Sequence, residues 1–116
     1  MNLNDAIGAH AQWKTKLRMA ISRKEQMDAA TISRDDCCEL GRWLHGDAKR
    51  MGNLAAYREV VQAHADFHKQ AGKVAAAINA GKYDDASKML GNATPYSDAS
   101  AAVGLAITHL KQAVPA

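Results

Sequence analysis

Apolar positions recur at intervals of three and four through three long stretches of the chain, the rhythm of helices that turn one face toward a common core. In the first stretch Leu3, Ala6, His10, Trp13, Leu17 and Ala20 form the inward stripe. They predict a helix that begins between Asn2 and Asp5, with Asn4 as N-cap, and runs to about Arg23. Lys24 to Ser33 reads as a polar connector. Ser33 or Asp35 then caps a short second helix that ends near Gly46 and turns Cys38, Trp43 and Leu44 inward, followed by a loop to Gly52. The third helix is predicted from about Asn53 to Asn79, with Leu54, Tyr57, Val61, His64, His68, Ala71, Ala75 and Ile78 on its seam and Gly81 as the residue that ends it. A last helix begins near Asp84 and Asp85 and faces inward at Ala86, Met89, Ala93, Tyr96, Ser100, Val103, Ile107 and Leu110. Because that register runs unbroken across Pro95, it predicts a kinked but continuous helix, a full break over Gly91 to Pro95 being the other reading. The sum is an all-α, antiparallel four-helix bundle, one domain over residues 1–116, with a short helical element inserted.

Composition narrows the function more than the fold. A chain of 116 residues, 47% hydrophobic, can bury one small core. No apolar run approaches the roughly 20 residues needed to cross a bilayer, and residues 101–107 interrupt theirs with small side chains. The N-terminus lacks the basic-then-apolar order of a secretory signal, so Cys37 and Cys38 are expected as reduced thiols. A disulfide between these neighbours would be strained. The pI near 9.0 invites a nucleic-acid reading. The formal charge is only +3, however, and Lys14, Lys16, Arg18, Arg23 and Lys24 mostly occupy a solvated helix face without aromatic interleaving, so nucleic acid is not expected as a partner.

The chemistry lies in the histidines. His64 and His68, four residues apart, stack one above the other on the inward face of the third helix, close enough to share a metal ion. Two buried imidazoles need partners, and His-x-x-x-His alone is a weak signal. His10 on the first helix's inward stripe and a cysteine of the Asp35–Leu44 stretch raise the count to four. Three imidazoles and one thiolate suit tetrahedral zinc, with Zn–N near ~2.0 Å and Zn–S near ~2.3 Å.

The residues His10-Ala11-Gln12-Trp13, Cys38-Glu39-Leu40-Gly41-Arg42-Trp43-Leu44 and His64-Ala65-Asp66-Phe67-His68, in that order, resemble the chemoreceptor zinc-binding (CZB) domain of bacteria. The resemblance implies that His10, Cys38, His64 and His68 are the ligands of one zinc per chain inside the bundle. It selects Cys38 over Cys37 because Cys38 heads the Cys-x-Leu-Gly-x-Trp-Leu pattern. It further implies a homodimeric regulatory module of cytoplasmic signalling proteins, commonly chemoreceptors in chemotaxis and sometimes diguanylate cyclases. Two modes of sensing come with it. In one, zinc level itself shifts the bundle between states. In the other, Cys38 is redox-active: an oxidant such as hypochlorous acid converts it to a sulfenic acid, loosens it from zinc and moves the helix that carries it. A purely structural zinc is the third possibility.

Several expectations follow. Four protein ligands leave no open position, and neither His-Glu-x-x-His nor the Glu-x-x-His pairs of di-iron bundles is present, so no enzyme is expected. The short helix, flanked by connector and loop, is the element expected to move. Pairing the third and last helices about Gly81 places Tyr96, Ser97 and Ser100 beside the histidine layer, as hydrogen-bond partners of the imidazoles or as packing. His45 and His109 read as structural or solvated, and Cys37 as a free thiol that could divert or resolve an oxidised Cys38. No output domain is legible, so the sequence reads as an excised regulatory domain attached to the signalling part of a parent receptor.

Overall fold

The computed structural model describes residues 1–114, and these residues are all-helical. Six helices form: α1 (Leu3–Arg23), α2 (Ala29–Ile32), α3 (Glu39–Leu44), α4 (Ala55–Asn79), α5 (Tyr83–Met89) and α6 (Pro95–Ala113), with a 3-10 helix at Asp47–Met51 in place of the predicted loop. No helix among the described residues is long and apolar enough to cross a membrane. The long helices α1, α4 and α6 pack on one another, α2 lies along α4, and α5 closes against α4 and α1. Leu17, Leu40, Leu44, Val60, Phe67, Val74, Ile78, Leu90, Val103, Ile107 and Leu110 fill one core between them. Burial of such side chains contributes roughly 1.5–3 kcal/mol each and is the main term holding the bundle.

Helix ends follow local chemistry, with three differences from the sequence reading. The N-cap of α1 is Asn2, not Asn4: its side chain accepts the Asp5 N–H at 3.1 Å. The connector is not bare, because Asp28 caps the single-turn α2 through the Thr31 N–H. Cys38 itself caps α3, its Sγ taking the Gly41 N–H at 3.3 Å, so neither Ser33 nor Asp35 holds that role. At the far end of α4 the expectation holds. Gly81 sits at φ 77°, and the bonds Gly81 N–H to Ile78 O and Lys82 N–H to Ala77 O close a Schellman turn.

The last segment is broken, not kinked. α5 ends at Met89, Ala93 takes a left-handed φ of 59°, and Thr94 caps α6 by accepting the Ser97 N–H at 3.1 Å, with Pro95 in its first turn. Proline at that position lacks only an N–H that no helix could use, so Pro95 starts a helix here without bending one.

One further clamp ties the connector down. Asn79, in the last turn of α4, accepts the Met27 N–H at 2.8 Å and donates to the Met27 carbonyl at 2.7 Å.

Candidate metal centre

Three backbone segments bring four donor atoms together. His10 points inward from the first half of α1, His64 and His68 from the middle of α4, and Cys38 from the start of α3. One donor atom from each lies within 4.8 Å of every other. Cys38 Sγ stands 3.1 Å from His64 Nε2 and 3.6 Å from His68 Nε2. A tetrahedral zinc with ordinary bond lengths would hold sulfur and nitrogen about 3.6 Å apart, so the donors are already near coordination spacing. The imidazoles of His10 and His64 are 4.9 Å apart and those of His64 and His68 4.5 Å, each pair nearly perpendicular.

Cys38 reaches this place through its own backbone. A Cβ built on Gly41 would lie 1.9 Å from the Asp35 carbonyl oxygen, so only glycine lets the first turn of α3 seat against the bend at residues 35–38. Leu40 and Leu44, both buried, pin the same turn to the core, and the Tyr57 hydroxyl donates to the Leu44 carbonyl at 2.7 Å.

Hydrogen bonds orient two of the rings. His10 Nδ1 lies 2.8 Å from the Ala6 carbonyl and His68 Nδ1 2.9 Å from the Ile32 carbonyl. A carbonyl only accepts, so both Nδ1 atoms carry the proton and both Nε2 atoms present lone pairs to the centre. His10 Nε2 is buried with no hydrogen-bond partner. Burial lowers the pKa of His10 and His68, and that of His64 to about 3, with the neighbouring histidines adding to the effect on His64. Burial also raises the Cys38 thiol, against the opposing bond from the Gly41 N–H. In its own chemistry, then, the cluster is three neutral imidazoles around one thiol, with the unprotonated Nε2 atoms of His10 and His68 turned toward it and the buried Nδ1 of His64 left without a partner. Such an arrangement is short of an electron-pair acceptor, and a borderline-soft cation that takes nitrogen and sulfur fits it.

The carbonyls of Ala6 and Ile32, not hydroxyls, support the imidazoles of His10 and His68. Tyr96 is buried, but its hydroxyl has no partner, and Ser97 and Ser100 are half-buried. Among the described residues none of the three hydrogen-bonds an imidazole. The expected placement beside the histidine layer holds for Tyr96, and what is not made is the hydrogen bond to an imidazole. Tyr96 packs its ring 5.6 Å from that of Phe67, which lies between His64 and His68 along α4 and itself meets the rings of His10 and His68.

The remaining candidates stay outside. Cys37 is half-buried, lies outside the cluster and donates weakly to Asp36. His45 pairs with Asp35 at 3.2 Å and His109 with Glu59 at 3.0 Å, both exposed. A larger cleft, about 380 Å3 between α4 and the α5–α6 break, is lined by Lys73, Lys88 and Tyr96 and touches none of the four donors.

The sequence reading missed Ala6 and Ile32, whose backbone atoms do the work. Ala6 was recoverable, since a helical side chain can reach the carbonyl four residues earlier. Ile32 carried no sequence signal.

No curated protein and no solved structure matches the chain. The sequence model described as chemoreceptor zinc-binding domain matches residues 10–75, more than half of the chain and a span that contains all four donors. With that match and this cluster, the chain belongs to the chemoreceptor zinc-binding (CZB) domain family.

Proposed function

We propose that this domain binds one zinc per chain through His10, Cys38, His64 and His68, and that Cys38 serves as a redox switch in a bacterial signalling protein. The convergence of four donor atoms within 4.8 Å carries the zinc part. The redox part draws on the position of Cys38 as both donor and N-cap of a six-residue helix.

Zinc, when bound, supplies the charge that keeps Cys38 a thiolate near neutral pH despite its burial. The three histidines contribute neutral nitrogen donors, two of them fixed in tautomer by Ala6 and Ile32. In the switch, the Cys38 sulfur attacks hypochlorous acid, takes up its hydroxyl as a sulfenic acid, and chloride leaves. The oxidised sulfur is a poorer acceptor for the Gly41 N–H and a poorer donor to the centre, so α3 loses its cap and its tie to α4 together. Leu40 and Leu44 hold the other face of α3 in the core, and the motion is therefore a tilt about those side chains and not a release. We place the domain in the cytoplasm, as a homodimer joined to the output domain of a chemoreceptor, without an enzymatic activity of its own; the family supports this placement.

The test is zinc content and cysteine state in one experiment. Elemental analysis of the purified domain should give one zinc per chain. Mild hypochlorous acid should then modify Cys38 ahead of Cys37 by mass spectrometry, with faster hydrogen exchange over residues 38–44 and little change over residues 60–75. A domain without zinc ends the proposal. Modification of Cys37 with Cys38 intact ends the redox part and leaves zinc-level sensing as the account.

A further inference from the structure

Two of the four donor residues border a cleft and two do not. His64 and His68 are 0% and 2% exposed. His10 and Cys38 instead border a small cleft of about 60 Å3, walled on the α1 side by Met1, Asp5 and Ala9 and on the α3 side by Glu39. That volume holds about two water molecules, which suits a cation losing its hydration shell and no organic ligand. His10 is 5% exposed, its Nε2 has no hydrogen-bond partner, and it lines the inner wall. Asp5 and Glu39 are exposed and stand at the mouth.

We propose that this cleft is the port through which a divalent cation enters and leaves the centre, with Asp5 and Glu39 as its transient oxygen ligands. The proposal rests on reading the four donors as zinc ligands. A bare cation in the protein interior is prohibitively unstable, so its waters must be exchanged one at a time for protein atoms. Carboxylate oxygens suit an ion that is still hydrated, and they can bind zinc as well. The order along the path is then Asp5 and Glu39 at the mouth, Cys38 and His10 on the wall, and His64 and His68 last. Arg42 is near enough for its charge to act on Cys38 as well. In this proposal the carboxylates act by coordination, not by steering.

A port lies on the path and not in the end state. By microscopic reversibility it changes uptake and release by the same factor and leaves affinity alone. The test uses stopped-flow zinc uptake by metal-free protein and zinc release to excess chelator, in the wild type, in Asp5→Asn/Glu39→Gln, and in Ala9→Leu, which narrows the mouth from an exposed position. Both rates should fall roughly tenfold in both variants, the scale of carboxylates near metal sites, with one zinc still bound per chain and the slowing retained in high salt. Asp84→Asn/Asp85→Asn, at the start of α5, should leave both rates unchanged. Unchanged rates in the port variants at full zinc loading overturn the proposal, as does faster release without slower uptake. Failure of the underlying zinc reading looks different: the wild type takes up no zinc, or His64→Ala binds it as tightly as the wild type.

Discussion

Cys38 Sγ lies 3.1 Å from His64 Nε2, a contact made across 26 residues between the start of a six-residue helix and the middle of a 25-residue one. It joins the least anchored donor to the most buried. His64→Ala removes the donor that meets Cys38 and opens a hole in the core, so zinc affinity should fall at least about a hundredfold and the melting temperature with it. Chelator competition and thermal unfolding, each run with and without zinc, check both effects. In Cys38→Ser the three histidines should still hold zinc, more weakly, and the loss of stability should be smaller, because no core volume is lost.

Gly41 sets the position of Cys38, and its replacement should act at a distance. In Gly41→Ala the new methyl meets the Asp35 carbonyl, so the bend and the first turn of α3 must separate. The cost should be about 2–3 kcal/mol of stability with a drop in zinc affinity, although no donor atom is changed. Denaturant unfolding and chelator competition measure the two effects, and wild-type affinity in this variant would show that α3 reseats without glycine.

The buried phenol of Tyr96 has an alkaline signature. Burial raises its pKa from 10.0 to about 12. An unfolded chain gives up this proton near pH 10, while the folded one keeps it until about pH 12. The contribution is therefore complete below pH 10 and lost as pH rises through that window, at up to roughly 1.4 kcal/mol per pH unit. Tyr96→Phe should flatten this limb in denaturant titrations compared with the wild type. Because the hydroxyl is buried without a partner, the same variant should be as stable as the wild type at pH 7 or more stable by about 1 kcal/mol. Zinc affinity should not change, in keeping with the absence of a hydrogen bond from Tyr96 to a ligand ring.

Thr94 and Pro95 report on the broken last segment. Thr94→Ala removes the cap of α6 and should cost about 1 kcal/mol. Pro95→Ala should be near neutral, since the first turn has no use for the missing N–H. A gain of about 3 kcal/mol in Pro95→Ala, the sign of a proline relieved from a helix interior, would contradict the break at residues 90–94. Urea unfolding of both variants checks this.

What the sequence revealed, and what it hid, divides along a physical line. His10, His64 and His68 were legible because a side chain that enters the core from a long helix must share the period of the core residues around it. The seam of α4 was read too narrowly: Val60 and Phe67 are fully buried, while Tyr57 and Val61 are half-exposed and Leu54 is exposed. A helix flanked by α1, α2 and α6 buries a wide arc, which a single-stripe reading underestimates. Cys38 as a cap, the turn at α2 and the break before Pro95 depend on backbone bonds over four or five residues. Periodicity averages over such lengths. The register through Pro95 continued in the sequence because α5 and α6 each face the same core, not because they are one helix.

The clamp between Asn79 and Met27 bears on where a signal can travel. The stretch from α1 to α3 is fastened to α4 at two places, Met27 on Asn79 and Ile32 on His68. These lie three turns of α4 apart, or about 16 Å. A segment staked at both ends along a stiff rod cannot relay a pull through its own backbone. Under the proposed switch, movement at Cys38 would be dammed at Ile32 and would not run back along the chain to the end of α1. A signal of that kind would have to leave sideways, through His10 into the first half of α1 and through the packed face of α4 into α6, which makes neighbouring helices, and not the covalent thread, the wires of the proposed switch.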